Sequence, residues 1–143
     1  PKGGIDFDNL NGENGYRGWP FYGQSKLANL LTALELTERL EGSNATANAV
    51  HPGVINTNLG RHSEGNGIRS AVVNGAVNLF GKNIPQGAAT QCYVATAPGL
   101  DGVSGRYFAN CNIATSTRLG RDRELAGRLW QESEEILEHY LPG

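Results

Sequence analysis

Tyr22 and Lys26 lie four positions apart in the stretch FYGQSKLANLL, residues 21–31. Four residues is just over one helical turn, so in a helix both side chains emerge on one face. A phenol ordinarily ionises near pH ~10 and exchanges few protons at neutrality. A neighbouring ammonium favours its ionised form. The pair is therefore a candidate proton-transfer device, with the phenol as general acid or base. A surface pair with no chemistry is the competing reading, because the motif is short and arises often by chance.

The elements around the pair follow from the pattern. Residues 1–18 are rich in Gly, Asn and Asp and read as an exposed loop. A helix is expected over about 20–41: Leu27, Leu30, Leu31 and Leu34 recur at helical spacing, and Gly42 is placed to stop it. Residues 45–51 read as a short buried strand, ended by Pro52-Gly53. Residues 53–84 read as a long irregular stretch, with helix-like apolar content at 68–80. Pro85 suits the first turn of a second helix running to about Ala97, before Pro98. Residues 105–109 read as a strand. A last amphipathic helix is expected over about 121–139, with Leu125, Leu129, Ile136 and Tyr140 on one face. Helix, strand, helix, strand, helix implies an α/β parallel sheet with helical crossovers. Two strands are too few for a doubly wound sheet, so the chain reads as the second half of a larger fold.

Bulk properties exclude several classes of function. At 143 residues the chain is long enough for one domain with a core. Its formal net charge is -2 with no basic stripe, which argues against nucleic acid as a partner. No apolar run is long enough to span a membrane, and no signal peptide is visible at PKGGIDFDNL. The chain has no methionine and starts at Pro1, as expected of a mature or truncated N-terminus. Cys92 and Cys111 form no C-x-x-C pair and read as small buried residues of a reducing compartment, so a cytoplasmic location is expected. The Asn44-Ala45-Thr46 sequon is discounted for want of any other sign of secretion. No cluster of Cys or His has metal-ligand spacing. The acidic group Glu132, Glu134 and Glu135 reads as a solvated face. His51 reads as structural, and His62 and His139 have no evident partners.

The helix with Tyr22 and Lys26, then one strand ending in HPGVINTNL at 51–59, resembles the short-chain dehydrogenase/reductase family. That family's signature is Tyr-x-x-x-Lys on a helix, then a strand ending in Pro-Gly with a threonine a few residues on. The matching positions are Tyr22, Lys26, Pro52, Gly53 and Thr57. GIDFDNLN, YGQSKLANLL, NAVHPGVINTNL and RLWQESEEIL extend the likeness over almost the whole chain, toward the retinol-dehydrogenase-like branch. The resemblance implies the C-terminal half of a doubly wound, Rossmann-like domain, with residues 1–143 forming the C-terminal portion of a single domain. It implies oxidoreduction between an alcohol and a carbonyl, on a lipophilic retinoid- or steroid-like compound. Tyr22 would exchange the proton with the alcohol oxygen. Lys26 would lower the tyrosine pKa and hold the ribose hydroxyls. Tyr22, Lys26, Pro52, Gly53, Val54, Ile55 and Thr57 would contact a nicotinamide cofactor: NADP as the branch implies, NAD as the alternative. Loop 58–84 would carry substrate contacts, with Val72, Val73, Leu79 and Phe80 as apolar candidates.

The chain departs from the family pattern in three places. The glycine-rich TGxxxGxG turn that cradles pyrophosphate is absent, and Gly60, Gly65 and Gly67 lack its spacing and position. The Asn-Asn-Ala-Gly segment is absent. No serine precedes Tyr22, and Ser25, three residues on in the helix, lies off the pair's face. The alternative reading is a non-catalytic fragment or an interaction module derived from such an enzyme.

Overall fold

A computed structural model describes residues 4–55, 81–138 and 140. The elements are α1 (Gly18–Arg39), β1 (Ala49–His51), α2 (Ile84–Thr96), β2 (Tyr107–Ala109), β3 (Asn112–Ala114) and α3 (Arg123–Glu138). Single 3-10 turns stand at Phe7–Asn9, Pro98–Leu100 and Leu119–Arg121. Among the described residues the strands form one sheet in the order β1-β2-β3. The alternation of helix and strand, with β1 and β2 joined through a helical crossover, is that of the C-terminal half of a doubly wound domain. The chain divides into two compact units.

The first unit holds residues 1–49, 102–107 and 115–143. Leu27 and Leu31 of α1 pack with Ile5 and with Ala126 and Leu129 of α3, and Leu31 is fully buried. Burying a leucine in this way stabilises by about 1.5–3 kcal/mol. Helix α1 starts two residues earlier than its apolar spacing predicts. Pro20 falls in the first turn, where its missing N–H would have no intrahelical partner, so the helix continues through it. It ends at Arg39, and Gly42 takes a left-handed φ of +80° just beyond. Helix α3 begins at Arg123 because the Asp122 carboxylate accepts the Leu125 N–H at 3.0 Å, capping the first turn. Glu38 of α1 pairs with Arg123 of α3. The buried seam of α3 is narrower than the pattern predicts: it takes in Ala126 and Leu129, whereas Ile136 and Tyr140 are exposed. The acidic face behaves as expected. Arg128–Glu132, Trp130–Glu134 and Gln131–Glu135 are i,i+4 pairs on the exposed side.

Strand β1 is shorter than the predicted 45–51. Side chains take over the pairing of its first half. Ser104 Oγ accepts the Ala47 N–H at 3.0 Å, and Asn48 spans both sides, donating to Val103 O at 2.7 Å and accepting from Arg106 N at 3.0 Å. Gly105 N donates to Ala47 O, and Ala49 N to Arg106 O, so the two segments run in the same direction.

The second unit holds residues 50–101 and 108–114. Helix α2 starts with a reciprocal cap. Asn83 accepts the Gln86 N–H at 2.9 Å, and Gln86 accepts the Asn83 N–H at 3.0 Å. Pro85 lies in its first turn, as predicted. Phe108 is 1% exposed and meets the edge of Tyr93. Strand β3, which the periodicity does not predict, returns through the two-residue turn Asn110-Cys111, both left-handed at φ 51° and 57°. Such turns usually carry glycine, so the Asn-Cys pair gives no hairpin signal. The cysteines differ from the expectation of two buried thiols: Cys92 is exposed and Cys111 half-buried, and both are free. The predicted helix-like segment 68–80, Gly60, Gly65, Gly67, His62 and His139 lie outside the described residues.

Candidate active site

Helix α1 presents Tyr22 and Lys26 on the side opposite Leu27 and Leu31. Tyr22 is 53% exposed, and Lys26 is exposed beside it. The Lys26 ammonium lies 5.2 Å from the centre of the Tyr22 ring, within cation–π range. Trp19, one turn earlier, meets the Tyr22 ring edge-on at 6.2 Å and is 84% exposed. The helix thus holds a hydroxyl, an ammonium and a broad apolar plate on one open face. The segment before α1 braces it: Gln24 accepts the Asp6 N–H at 2.9 Å, and Tyr16 packs on Phe21 at 4.9 Å. Ser25 donates its hydroxyl to Tyr22 O at 2.8 Å. That bond points the Ser25 hydroxyl back along the helix, in keeping with its exclusion as a substitute for the family serine.

The second group of predicted residues belongs to the other compact unit. Pro52, Gly53, Val54 and Ile55 follow β1 as an open turn. Gly53 has a φ of +87°, which glycine adopts without a Cβ penalty. The close approach is as important as the dihedral. A Cβ on Gly53 would fall 2.9 Å from Lys82 Cε and 3.0 Å from Lys82 Cδ. Val54 is 61% exposed. Ile55 is anchored, because its side chain lies against Gly87 of α2, where a Cβ would fall 2.3 Å from Ile55 Cδ1. Val54 O accepts the Lys82 N–H at 2.8 Å, and Ile55 and Lys82 form a parallel bridge. His51 is exposed at the end of β1. Thr57 lies outside the described residues, as do Val72, Val73, Leu79 and Phe80.

Three residues that hold the turn, Lys82, Gly87 and Asn110, have no motif of their own. Lys82 and Gly87 follow the turn by 27 residues or more, and no periodicity connects such positions. The local signal in this part of the chain was Pro85 at the start of α2; the Asn83/Gln86 capping box beside it could also have been read.

A phenol beside an ammonium can exchange a proton with an alcohol oxygen and donate hydrogen bonds to hydroxyls. Among the described residues no cluster of His, Cys, Asp and Glu could hold a metal ion. Nor is any described helix long and apolar enough to cross a membrane.

No protein-family model matches the chain. Curated proteins do. A short-chain dehydrogenase of Brassica napus, TIC 32 A, chloroplastic, is 49% identical over 137 residues, covering 94% of this chain and 42% of its own. Human retinol dehydrogenase 14 is 42% identical over 132 residues, covering 92% of this chain and 39% of its own. Human retinol dehydrogenase 13 is 40% identical over 138 residues, covering 94% and 42%. The chain therefore spans about two fifths of the length of these relatives.

Proposed function

Because the chain belongs to the short-chain dehydrogenase/reductase family, in its retinol-dehydrogenase-like branch, we propose that it supplies the proton-transfer and nicotinamide-side half of an alcohol–carbonyl oxidoreductase. The observation that carries this reading is the open Tyr22/Lys26 pair one turn apart on a rigid helix. Tyr22 Oη gives its proton to the substrate oxygen during carbonyl reduction and takes it back during alcohol oxidation. Lys26 places a positive charge over the Tyr22 ring, 5.2 Å from its centre. Its ammonium also has donors to spare for ribose hydroxyls.

Tyr22, Lys26, Pro52, Gly53, Val54, Ile55 and Thr57 are the residues we assign to the dinucleotide, NADP first and NAD as the alternative. The bound dinucleotide supplies or accepts the hydride at the carbonyl carbon. The Pro52–Ile55 turn orients the nicotinamide through main-chain groups. Trp19 beside Tyr22 favours a flat apolar substrate, and the relatives named for retinol support a lipophilic alcohol or aldehyde.

These 143 residues contain no glycine-rich pyrophosphate turn and no serine before Tyr22. On their own they are expected to bind dinucleotide weakly and to show no turnover. Losing one donor to the developing oxyanion typically costs about a hundredfold or more in rate. The test uses the full-length protein that carries these residues, with NADPH or NADH and a medium-chain or retinal-type aldehyde. Consumption of reduced dinucleotide with formation of the alcohol is expected. No consumption with either cofactor and any of the aldehydes would overturn the reading.

A further inference from the structure

Lys82 makes three attachments around the turn that follows β1, through its main chain, its aliphatic stem and its ammonium. Its main-chain N–H binds Val54 O at 2.8 Å, and it bridges Ile55 in parallel. Its aliphatic stem lies over Gly53, in the space a Cβ would need. Its ammonium donates to Asn110 Oδ1 at 2.6 Å. Among the described residues no carboxylate forms an ion pair with it. The ammonium stands beside the backbone of Gly53.

Asn110 is itself held in place. Its left-handed φ of 51° belongs to the turn between β2 and β3, and its carbonyl accepts Asn112 Nδ2 at 2.7 Å. The next residue, Cys111, donates its N–H at 3.2 Å to the hydroxyl of Thr90, which is 0% exposed in α2. A line of contacts therefore runs from a buried hydroxyl, through the Asn110-Cys111 turn and the Lys82 ammonium, to the backbone of Gly53 and Val54. All of it lies within the second compact unit.

We propose that Lys82, fixed by Asn110, is a positioning residue for the Pro52–Ile55 turn and hence for the nicotinamide end of the dinucleotide. The proposal rests on the cofactor reading above. Lys82 takes no part in proton transfer. It holds the turn in the geometry that receives the ring.

The test uses the full-length protein and titrates NADPH and NADH beside steady-state kinetics. Lys82→Met keeps the stem over Gly53 and removes the ammonium. Asn110→Gly removes the acceptor and tolerates the positive φ. Each is expected to raise the dinucleotide Kd about 5- to 20-fold, with kcat at saturating cofactor within about twofold of wild type. Because the two groups act as one contact, the double variant is expected to be no worse than either single variant. Lys82→Arg, which retains a cation able to reach Asn110, is expected to recover affinity to within about threefold. A purely structural role would lower Tm and the fraction of active protein while leaving Kd unchanged.

A Kd within twofold of wild type in Lys82→Met, or additive losses in the double variant, would overturn the proposal. If Tyr22→Phe is inactive in the same assay, the proposed function survives that failure. A wild-type protein that binds neither dinucleotide overturns both.

Discussion

The face of α1 that carries Tyr22 and Lys26, and the turn at Pro52–Ile55, are built in opposite ways. The helix face is local. Four residues of spacing set the Tyr22–Lys26 approach, and the leucines that back it, Leu27 and Leu31, are on the same helix. The turn is assembled from afar. Gly53 is closed by Lys82, Ile55 is seated on Gly87, and Lys82 is tied to Asn110. A local site tolerates change elsewhere as long as its helix stays docked. A site assembled from distant contacts can be loosened by a change that touches no ligand.

That contrast can be broken at its strongest point first. Leu31→Ala empties a fully buried position between α1 and α3. It is expected to cost about 2–5 kcal/mol in the full-length protein, read as a fall in the denaturant midpoint. Because the Tyr22–Lys26 spacing is local, the molecules that remain folded should keep near wild-type kcat. A large fall in kcat per folded molecule would show that the helix face is not self-contained.

Thr90→Val is the corresponding test of the turn. It removes the hydroxyl that accepts the Cys111 N–H and keeps the buried volume. Leaving that N–H without its partner is expected to cost about 1–3 kcal/mol, less if water reaches it. It should also weaken dinucleotide binding, because Asn110 and Lys82 lose their support. Wild-type stability together with wild-type Kd would cut the link between Thr90 and the turn.

Gly87→Ala is a smaller and sharper test. Alanine gains about 1 kcal/mol over glycine in helix propensity. The new Cβ would, however, meet Ile55 Cδ1 at 2.3 Å and Cγ1 at 2.8 Å. Overpacking of that kind typically costs about 1–3 kcal/mol, so a modest net loss of Tm is expected, with a shifted Ile55 and a raised Kd for dinucleotide. A gain in Tm with unchanged Kd would mean that Ile55 moves aside freely and does not shape the turn.

The same contrast governs what could be read from residue order alone. Helix α1 is written in adjacent residues, so the shared face of Tyr22 and Lys26 and the buried side of Leu27 and Leu31 were legible. So was the start of α2, where Pro85 is a local device, although the Asn83/Gln86 box that caps the helix went unread. The end of β1 at Pro52-Gly53 was legible, but not why glycine is needed there, since Lys82 fills the space from far along the chain. Strand β3 was missed because Asn110-Cys111 turns without glycine. The outer part of the α3 face was over-read: Ile136 and Tyr140 have the right spacing, yet the buried cluster reaches only Ala126 and Leu129 on that helix. Periodicity tells which residues share a face but not how far a neighbour extends along it.

The central claim is that Tyr22 carries the proton. Tyr22→Phe removes one exposed hydroxyl and leaves the ring against Trp19, so folding should be unaffected. The direct measurement is turnover of an aldehyde by the full-length Tyr22→Phe protein, with the dinucleotide Kd measured in the same preparation. The expected result is a fall in kcat of about 10²–10⁴-fold with Kd within a few-fold of wild type, the size of effect that general acid–base catalysis supplies. Turnover close to wild type, with the cofactor bound, would contradict the assignment.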